Sequence, residues 1–166
     1  MTCVRISHYV ECGATSGESD WYFCDATSQF VRIERTSVEQ SPGLEPDARA
    51  LVSWIGCHTR AFGRRQEGTI TYVLKYPVPL DYFNEFDAWF SYEHMPLLLE
   101  EPTWYGCDFF RALAPSTHTF AAIHYLEPGA LTSKARDRSI ATPWWNRLKQ
   151  CPWFDKGFDR AILRRI

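Results

Sequence analysis

The sequence predicts an α+β fold built from one partial and one complete copy of a β-α-β-β-α-β unit. Three observations lead to this prediction: the order of strand and helix patterns over residues 67–166, a short internal repeat, and an apolar content suited to one packed domain. The chain has 166 residues, of which 45% are hydrophobic and 16% aromatic. We therefore expect both copies to share one compact domain.

The complete unit begins with a strand followed by a helix. Residues 69–78, TITYVLKYPV, are rich in β-branched and aromatic residues and end at prolines. From Pro79 onward, apolar positions recur at spacings of three and four, which places them on one stripe of a helix. This stripe contains Phe83, Phe86, Phe90 and His94. We expect the helix to reach about His94, after which Pro96 starts one further turn that Pro102 ends.

The rest of this unit consists of a two-stranded hairpin, a second helix and a closing strand. Residues 104–113 and 118–128 are typical of two strands joined by a short loop, as in a hairpin. Residues 129–150 have the alternation of an amphipathic helix, with a break or kink at Pro143. Residues 158–166 close the chain as a strand. The predicted order is that of a ferredoxin-like unit.

A short internal repeat links the two parts of the chain. Residues 59–65, TRAFGRR, and residues 159–165, DRAILRR, share four of seven positions at an offset of 100. Residues 3–27 add two strands separated by a loop, as in the later hairpin. We infer a partial β-β-α-β unit over residues 1–66, which lacks its opening strand and helix, and a complete unit over residues 67–166. The prediction totals seven strands.

The arrangement of these units follows from burial. A ferredoxin-like sheet has its helices on one face only, so its other face needs a second apolar surface. We expect the two sheets to pack face to face as an internal pseudo-dimer and to close a ferredoxin-like α+β barrel lined with aromatic side chains. Such a barrel encloses space for a small ligand. We therefore expect the functional site inside the barrel.

Composition and charge disfavour several partners. A net charge of −2 argues against nucleic acid. No apolar stretch approaches the length of a membrane span, and the N-terminus lacks a signal-peptide pattern, so we expect a cytoplasmic protein with no membrane partner. The cysteines are scattered without a CxxC pair, and we expect them to be reduced: Cys3, Cys12, Cys24, Cys57, Cys107 and Cys151.

We expect no metal and no cofactor. The sequence has no HxH or HExxH motif, and His118 and His124 are six residues apart, too far to be neighbouring ligands on one strand. Residues 13–17, GATSG, lie in a predicted hairpin turn, without the following helix that a phosphate-binding loop requires.

Histidine is the leading candidate for acid–base chemistry, because imidazole titrates near neutral pH. His94 lies at the end of the phenylalanine stripe, near the sheet. His124 shares a strand face with Phe120 and Ala122, which we expect to point into the barrel cavity. The opposite face, which we expect to contact the helices, carries Ala121, Ile123 and Tyr125. A structural role, as a helix cap or a satisfied core residue, is an equal alternative for each histidine.

Three further polar side chains are candidate catalytic residues. Tyr72 can donate a hydrogen bond to a ligand carbonyl. Asp108 lies in a strongly aromatic strand, where a carboxylate needs a partner or a raised pKa. His8 lies 100 residues before Asp108, which suggests that the two residues are paired as base and acid across the pseudo-twofold axis. The alternatives are core packing for Tyr72 and exposure at a sheet edge for the other two. We expect the substrate to contact Phe86, Trp89, Phe90 and Phe120.

Residues 85–104, EFDAWFSYEHMPLLLEEPTW, carry a family resemblance. They resemble the helix signature of EthD-like dimeric α+β-barrel proteins at Glu85, Phe86, Trp89, Glu93, His94, Pro96 and Trp104. Residues 141–148, ATPWWNRL, are similar to the T-P-W-x-x-R segment of the same family. The chain departs from the family pattern at Phe90, Ser91 and Thr103. A role that needs the family's tyrosine is therefore not expected at position 90.

The resemblance implies a barrel that hosts many chemistries, so fold alone does not determine the reaction. We expect a cofactor-independent enzyme that uses general acid–base chemistry on a small apolar carbonyl or phenolic substrate, such as a polyketide intermediate. The reaction can be cyclisation, dehydration, decarboxylation or oxygenation. The alternative is a non-catalytic binding or assembly module that forms a homodimer through its sheet edge.

Overall fold

The computed structural model describes residues 2–10, 19–37, 49–66 and 70–166. Eight strands in these ranges close into an antiparallel barrel. In chain order the strands are β1 (Thr2–Tyr9), β2 (Ser19–Cys24), β3 (Gln29–Ser37), β4 (Val52–Gly63), β5 (Ile70–Tyr76), β6 (Trp104–Ala112), β7 (Phe120–Leu126) and β8 (Asp159–Arg165).

The two halves of the chain build the same sheet. Around the barrel the strands follow the order β1-β3-β2-β8-β5-β7-β6-β4, and β4 pairs with β1 to close it. Each half therefore places its strands in one order, β4-β1-β3-β2 in the first and β8-β5-β7-β6 in the second. The repeat at residues 59–65 and 159–165 falls on the equivalent strands β4 and β8. The chain is a ferredoxin-like α+β barrel formed as an internal pseudo-dimer.

The prediction of seven strands is wrong, because the first half has all four strands of the unit. The opening strand that we inferred to be missing is β1, and the hairpin of this half joins β2 to β3. We expected a helix before residues 59–65, and the described part of that stretch contains the strand Gln29–Ser37. Residues 38–48 lie outside the described residues, as do Cys12 and the turn predicted at residues 13–17.

Helical segments follow β5 and β7. After β5 come a 3-10 turn (Leu80–Tyr82), α1 (Phe83–Trp89), a π-helical turn (Phe90–His94) and α2 (Met95–Leu98). After β7 come a 3-10 turn (Pro128–Thr132), α3 (Lys134–Ser139) and α4 (Pro143–Leu148). The helix predicted for residues 129–150 is divided, because Ser133 and Thr142 each begin a new helix as an N-cap. No helix of the described residues has the length and apolar content to span a bilayer.

The π-helical turn positions His94. Pro96 has no N–H and cannot complete the regular hydrogen-bond ladder of an α-helix. Just before it, the Met95 N–H donates to the Phe90 carbonyl, which is the five-residue spacing of a π turn. Phe90 and His94 are both buried, with ring centroids 5.7 Å apart. The predicted stripe is therefore confirmed at Phe86, Phe90 and His94, all of which are buried.

The faces of β7 are the reverse of our prediction. Ala121, Ile123 and Tyr125 point into the barrel, and the alternate positions Phe120, Ala122 and His124 face the helices. Every residue of this strand is buried, because one face packs inside the barrel and the other against the helical layer. A strand buried on both faces has no polar face to show which side is outward.

The barrel interior is packed with side chains, as expected for eight strands, whose closure leaves a space just wide enough to be filled. Within the described residues, a hollow beside His8 and Lys75 measures about 10 Å³, room for no more than one water. The described interior residues therefore leave no room there for the ligand that we expected inside the barrel. The interior cluster includes Val4, Ile6, Tyr22, Val31, Ile33, Trp54, Val73, Phe110, Ile123 and Leu163.

Gly56 on β4 lies in a tightly packed part of the barrel interior. A Cβ atom at Gly56 would lie 2.3 Å from Cη2 of Trp54 and 2.9 Å from the Arg111 carbonyl oxygen. The Trp54 ring is held because its Nε1 donates to the His118 carbonyl at 2.8 Å. We predict that Gly56→Ala lowers the free energy of unfolding by about 1–3 kcal/mol, measured by urea denaturation.

Gly129→Ala is the matched control. A Cβ atom at Gly129 meets no atom within 4 Å, so the same chemical change is expected to stay within about 0.5 kcal/mol of the native stability. Equal stability of the two variants would contradict a tightly filled barrel.

Candidate functional site

A cavity of about 240 Å³ lies outside the barrel, between the sheet of the second half and its helices. Strands β5 and β7, the helical run over residues 83–98, and α3 and α4 all contribute to its walls. The apolar walls include Leu74, Trp89, Leu98, Trp145 and Phe158. The polar lining includes Tyr72, His94, His124, Arg136, Asp155 and Arg160. The volume suits a small ring compound, below the roughly 300–1,000 Å³ of drug-sized sites.

His124 lies on β7 at the sheet side of the cavity, with both ring nitrogens occupied. Trp104 Nε1 donates to His124 Nδ1 at 3.2 Å, so the proton of the neutral ring is on Nε2. Nε2 is 4.0 Å from Cys107 Sγ. Burial, followed by the neighbouring His94, lowers the pKa of His124 to about 3. His124 is therefore a neutral side chain held in one orientation.

His94 lies at the end of the π-helical turn and differs from His124 in its hydrogen bonds. Burial lowers its pKa to about 4, partly offset by a hydrogen bond to the backbone of Ser139. Its Nδ1 atom is buried and has no hydrogen-bond partner among the described residues. The ring lies between Trp89, with centroids 4.5 Å apart, and Trp145, with centroids 6.0 Å apart. His94 thus has one ring nitrogen without a partner among the described residues.

Tyr72 lies on β5 near an arginine pair. Burial raises the pKa of the Tyr72 hydroxyl, and the charges of Arg160 and Arg136 offset part of this rise. The hydroxyl oxygen accepts a hydrogen bond from the Arg160 guanidinium. Arg160 Nη2 also donates to Asp155 Oδ1. This end of the cavity combines a phenol with two cations, which suits an anionic oxygen on a ligand.

The structure does not bring Asp108 and His8 together. The Tyr125 hydroxyl donates to Asp108 Oδ2 at 2.6 Å inside the barrel, whereas His8 Nδ1 lies 3.1 Å from Gln29 Oε1. Along β4 their neighbours are Ala61 and Val52, nine residues or about 30 Å apart. They occupy β6 and β1, which are not equivalent strands of the two units, so the offset of 100 does not relate them by the pseudo-twofold axis.

The aromatic residues predicted to contact substrate divide into two groups. Trp89 lines the cavity. Phe90 stacks on Phe109 with ring centroids 4.2 Å apart and an interplanar angle of 14°, and Phe109 stacks on Phe120 at 5.3 Å and 7°. Phe86 packs beside them at 5.5 Å from Phe120. The three predicted residues Phe86, Phe90 and Phe120 therefore pack with Phe109, and none of the three is part of the described cavity lining.

Contacts join the helical run over residues 83–98 to α4. Arg147 Nε donates to Glu85 Oε1 at 3.0 Å. Thr142 Oγ1 donates to Glu93 Oε1 at 2.6 Å, at the start of α4. The two segments that carry the family resemblance therefore form one side of the cavity together.

Sequence reasoning missed several cavity residues. Arg136 and Arg160 come from α3 and β8, far from Tyr72 in sequence, and nothing in the local pattern distinguishes them from solvated charges. Trp104 appears in the helix signature, but that gives no sign of its bond to His124. Among the described residues, no three His, Cys, Asp or Glu side chains converge as a metal site does.

Comparison with known proteins gives matches of structure. No family model matches the sequence, and comparison with curated proteins gives no match. A ferredoxin-fold protein from Listeria monocytogenes, described as uncharacterized and related to antibiotic biosynthesis monooxygenases, aligns with a TM-score of 0.65 and 11% identity. The alignment covers 100% of this chain and 95% of that chain. The chain has this ferredoxin fold.

Other solved structures with the same fold have different described roles. A major regulator of staphylococcal pathogenesis aligns with a TM-score of 0.65 and 11% identity, over 99% of both chains. A heme-degrading enzyme from Listeria monocytogenes aligns with a TM-score of 0.57 and 11% identity, over 98% of both chains. At such identities the likeness is one of fold.

The low pKa values of the two cavity histidines predict a pH-dependent stability. Each ring is neutral in the native state and binds a proton below about pH 6.5 when the chain unfolds, so stability falls as pH falls from about 6.5 towards the native values of about 4 and about 3. Each histidine contributes about 1.4 kcal/mol per pH unit in this window. We predict that His124→Asn, whose amide oxygen can still accept from Trp104, removes one such contribution.

The measurement is urea unfolding between pH 4.5 and pH 7. The carboxylates of the chain affect both proteins alike, so the difference in slope isolates His124. Parallel curves for the native protein and the variant would show that His124 binds protons equally in the folded and unfolded states.

Proposed function

We propose that this protein is a cofactor-independent enzyme that oxygenates a small, largely apolar molecule with an acidic carbon or a phenol, bound in the cavity between sheet and helices. The observation that carries the proposal is His94, a histidine of the cavity lining whose buried Nδ1 has no partner among the described residues. Two fold neighbours, one described as related to antibiotic biosynthesis monooxygenases and one as a heme-degrading enzyme, support oxygen chemistry.

His94 is the proposed general base. Its Nδ1 atom has no described partner, so in the proposed reaction its lone pair takes a proton from the substrate. Burial makes the imidazole a weak base, with a pKa of about 4, so proton transfer needs a stabilised anion. Arg160, which donates to the Tyr72 hydroxyl, supplies positive charge where the oxygen of an enolate or phenolate would lie. The anion in turn favours the protonated form of His94.

The proposed reaction needs no external reductant. Removal of a proton from an activated CH₂ group gives a carbanion, which transfers electrons to O₂ and forms a carbon–oxygen bond. Loss of water from the resulting hydroperoxide leaves a carbonyl group. The balance is CH₂ + O₂ → C=O + H₂O, and the substrate carbon supplies all the electrons.

An EthD-like relationship is part of the proposal. The helix signature and the T-P-W-x-x-R segment are separated in sequence but paired in space through Glu85 with Arg147 and Glu93 with Thr142. A shared interaction of this kind gives a physical reason for both motifs to occur together. The proposed substrate class, a polyketide-like carbonyl or phenol, follows from the aromatic cavity and the anion-stabilising groups.

The packed barrel favours a second candidate, a non-catalytic binding or regulatory module, and one fold neighbour is described as a regulator. The described strands offer no free sheet edge of the kind that we expected to mediate dimerisation. Every described strand pairs on both sides, so the barrel has no free edge. A homodimer would need another surface.

Proton abstraction can be tested with 2-tetralone, a bicyclic ketone with an acidic CH₂ group. We predict that the native protein accelerates exchange of these protons for deuterium in D₂O, followed by NMR, and takes up O₂ in an oxygen-electrode assay. His94→Ala should reduce both rates at least about a hundredfold, because it removes the base. His118→Ala is the control histidine, since it lies outside the cavity, and it should retain the native rates.

Retention of full exchange activity by His94→Ala would reject the base assignment. Exchange without O₂ uptake would keep the proton transfer and reject oxygenation. Absence of both activities in the native protein, together with unchanged ligand binding, would favour the non-catalytic module.

The pH dependence of the exchange rate gives a separate prediction. His94 acts in its neutral form, which predominates above its pKa of about 4. We therefore expect kcat/KM to stay constant as pH falls from 7 to about 5 and to decrease below that value. A decrease centred near pH 6.5 would indicate a histidine in an ordinary solvated environment.

A further inference from the structure

Positive charge is in excess around the cavity. Three cationic side chains line it, Arg136, Lys149 and Arg160, and its described lining contains one carboxylate, Asp155. Arg160 Nη2 donates to Asp155 Oδ1, so the one carboxylate of the lining is already paired. Two cations are left without a carboxylate inside the cavity.

The surroundings of these two cations do not neutralise them. Arg136 has Asp137 as its described ion-pair partner, with Nη1 and Oδ1 4.0 Å apart and the carboxylate side chain 70% exposed. None of the ion pairs of the described residues includes Lys149. A weak, solvated contact of this length contributes little.

The neighbouring arginines of the same helices are different. Arg138, two residues from Arg136 on α3, pairs with Glu100, and Arg147, two residues from Lys149, pairs with Glu85. These two arginines, which lie outside the cavity lining, thus have carboxylate partners in the protein. The cations that line the cavity leave room for a partner that is a ligand.

We propose that the molecule bound in this cavity carries a carboxylate, held between Arg136 and Lys149 at the cavity mouth, with its ring against Trp145 and Leu98. This inference rests on the proposed function and names its substrate class as aromatic or cyclic acids. A carboxylate accepts charge-assisted hydrogen bonds from both cations.

Carboxylate binding at Arg136 also affects the proposed base. The positive charge of Arg136 contributes to the lowered pKa of His94. A bound carboxylate would offset that charge and raise the proton affinity of Nδ1. Substrates with the acid group would therefore be activated more strongly than neutral analogues of the same shape.

The test compares 2-naphthoate with 2-naphthamide, two probes of nearly equal shape that differ in charge. Dissociation constants are measured by ligand-observed NMR titration, which does not depend on turnover. We expect the native protein to bind 2-naphthoate at least about fivefold more tightly than the amide. Arg136→Gln and Lys149→Gln should each weaken 2-naphthoate binding about threefold to tenfold and leave amide binding unchanged.

Arg138→Gln is the matched control, because it removes the same charge from the same helix outside the cavity lining. It should keep the native preference for 2-naphthoate, and added salt should weaken only the binding of the acid. The Arg136→Gln/Lys149→Gln double variant should bind acid and amide equally. Its thermal unfolding midpoint verifies that the variant is folded.

Three outcomes would overturn the inference: equal binding of both probes by the native protein, an equal loss in Arg138→Gln, or no binding of either probe. The result is separable from that of the proposed function. A preference for 2-naphthoate without exchange or O₂ uptake keeps carboxylate recognition and rejects the enzyme. Turnover of 2-tetralone by the native protein, together with equal binding of 2-naphthoate and 2-naphthamide, would support the enzyme and reject carboxylate recognition.

Discussion

Closure of the barrel around a filled interior is the constraint on which the rest of the structure depends. Eight strands leave an interior that their own side chains fill, and pairing of β2 with β8 and of β4 with β6 removes every free edge among the described strands. The inner faces of both sheets are therefore occupied. Space for a ligand lies on the outer face of the second sheet, where the helices cover it incompletely.

Hydrogen bonding distinguishes His94 from three other buried ionisable groups of this chain. Lys75 is buried, but its Nζ lies 2.6 Å from Asp159 Oδ2. Asp108 is buried and accepts from Tyr125, and His124 accepts from Trp104. Each of these groups has its partner within the protein, so each stabilises the fold. His94 is buried, and its Nδ1 has no partner among the described residues, which has an energetic cost unless a ligand donates to it.

The sequence was sufficient for the fold class because its signals are local. The phenylalanine stripe has the period of a helix, and the repeated segments fall on equivalent strands. The missed strand β3 also had a local signal, since QFVRIERTS alternates apolar and polar residues and buries Val31 and Ile33. That signal was available, and the count of seven strands overlooked it.

The site was less predictable because it depends on distances between elements. Tyr72 and Arg160 meet through the pairing of β5 with β8, and His94 contacts Ser139 across two helical segments. Residue spacing along one element carries no information about such contacts. The orientation of β7 was ambiguous for a related reason, because a strand buried on both faces has apolar residues on each.

The packing around position 90 explains why this chain has a phenylalanine where the EthD-like pattern has a tyrosine. Phe90 is fully buried and stacks on Phe109, so a phenol at this position would place a hydroxyl in an apolar layer. The phenol of this cavity is instead Tyr72, on β5, where Arg160 donates to its oxygen. In the proposed reaction the hydrogen-bonding group therefore belongs to the sheet and the base to the helical layer. A substrate held between them would present its acidic carbon to His94 and its oxygen to Tyr72 and Arg160. The base would then take the proton on one side while hydrogen-bond donors stabilise the negative charge that develops on the oxygen at the other.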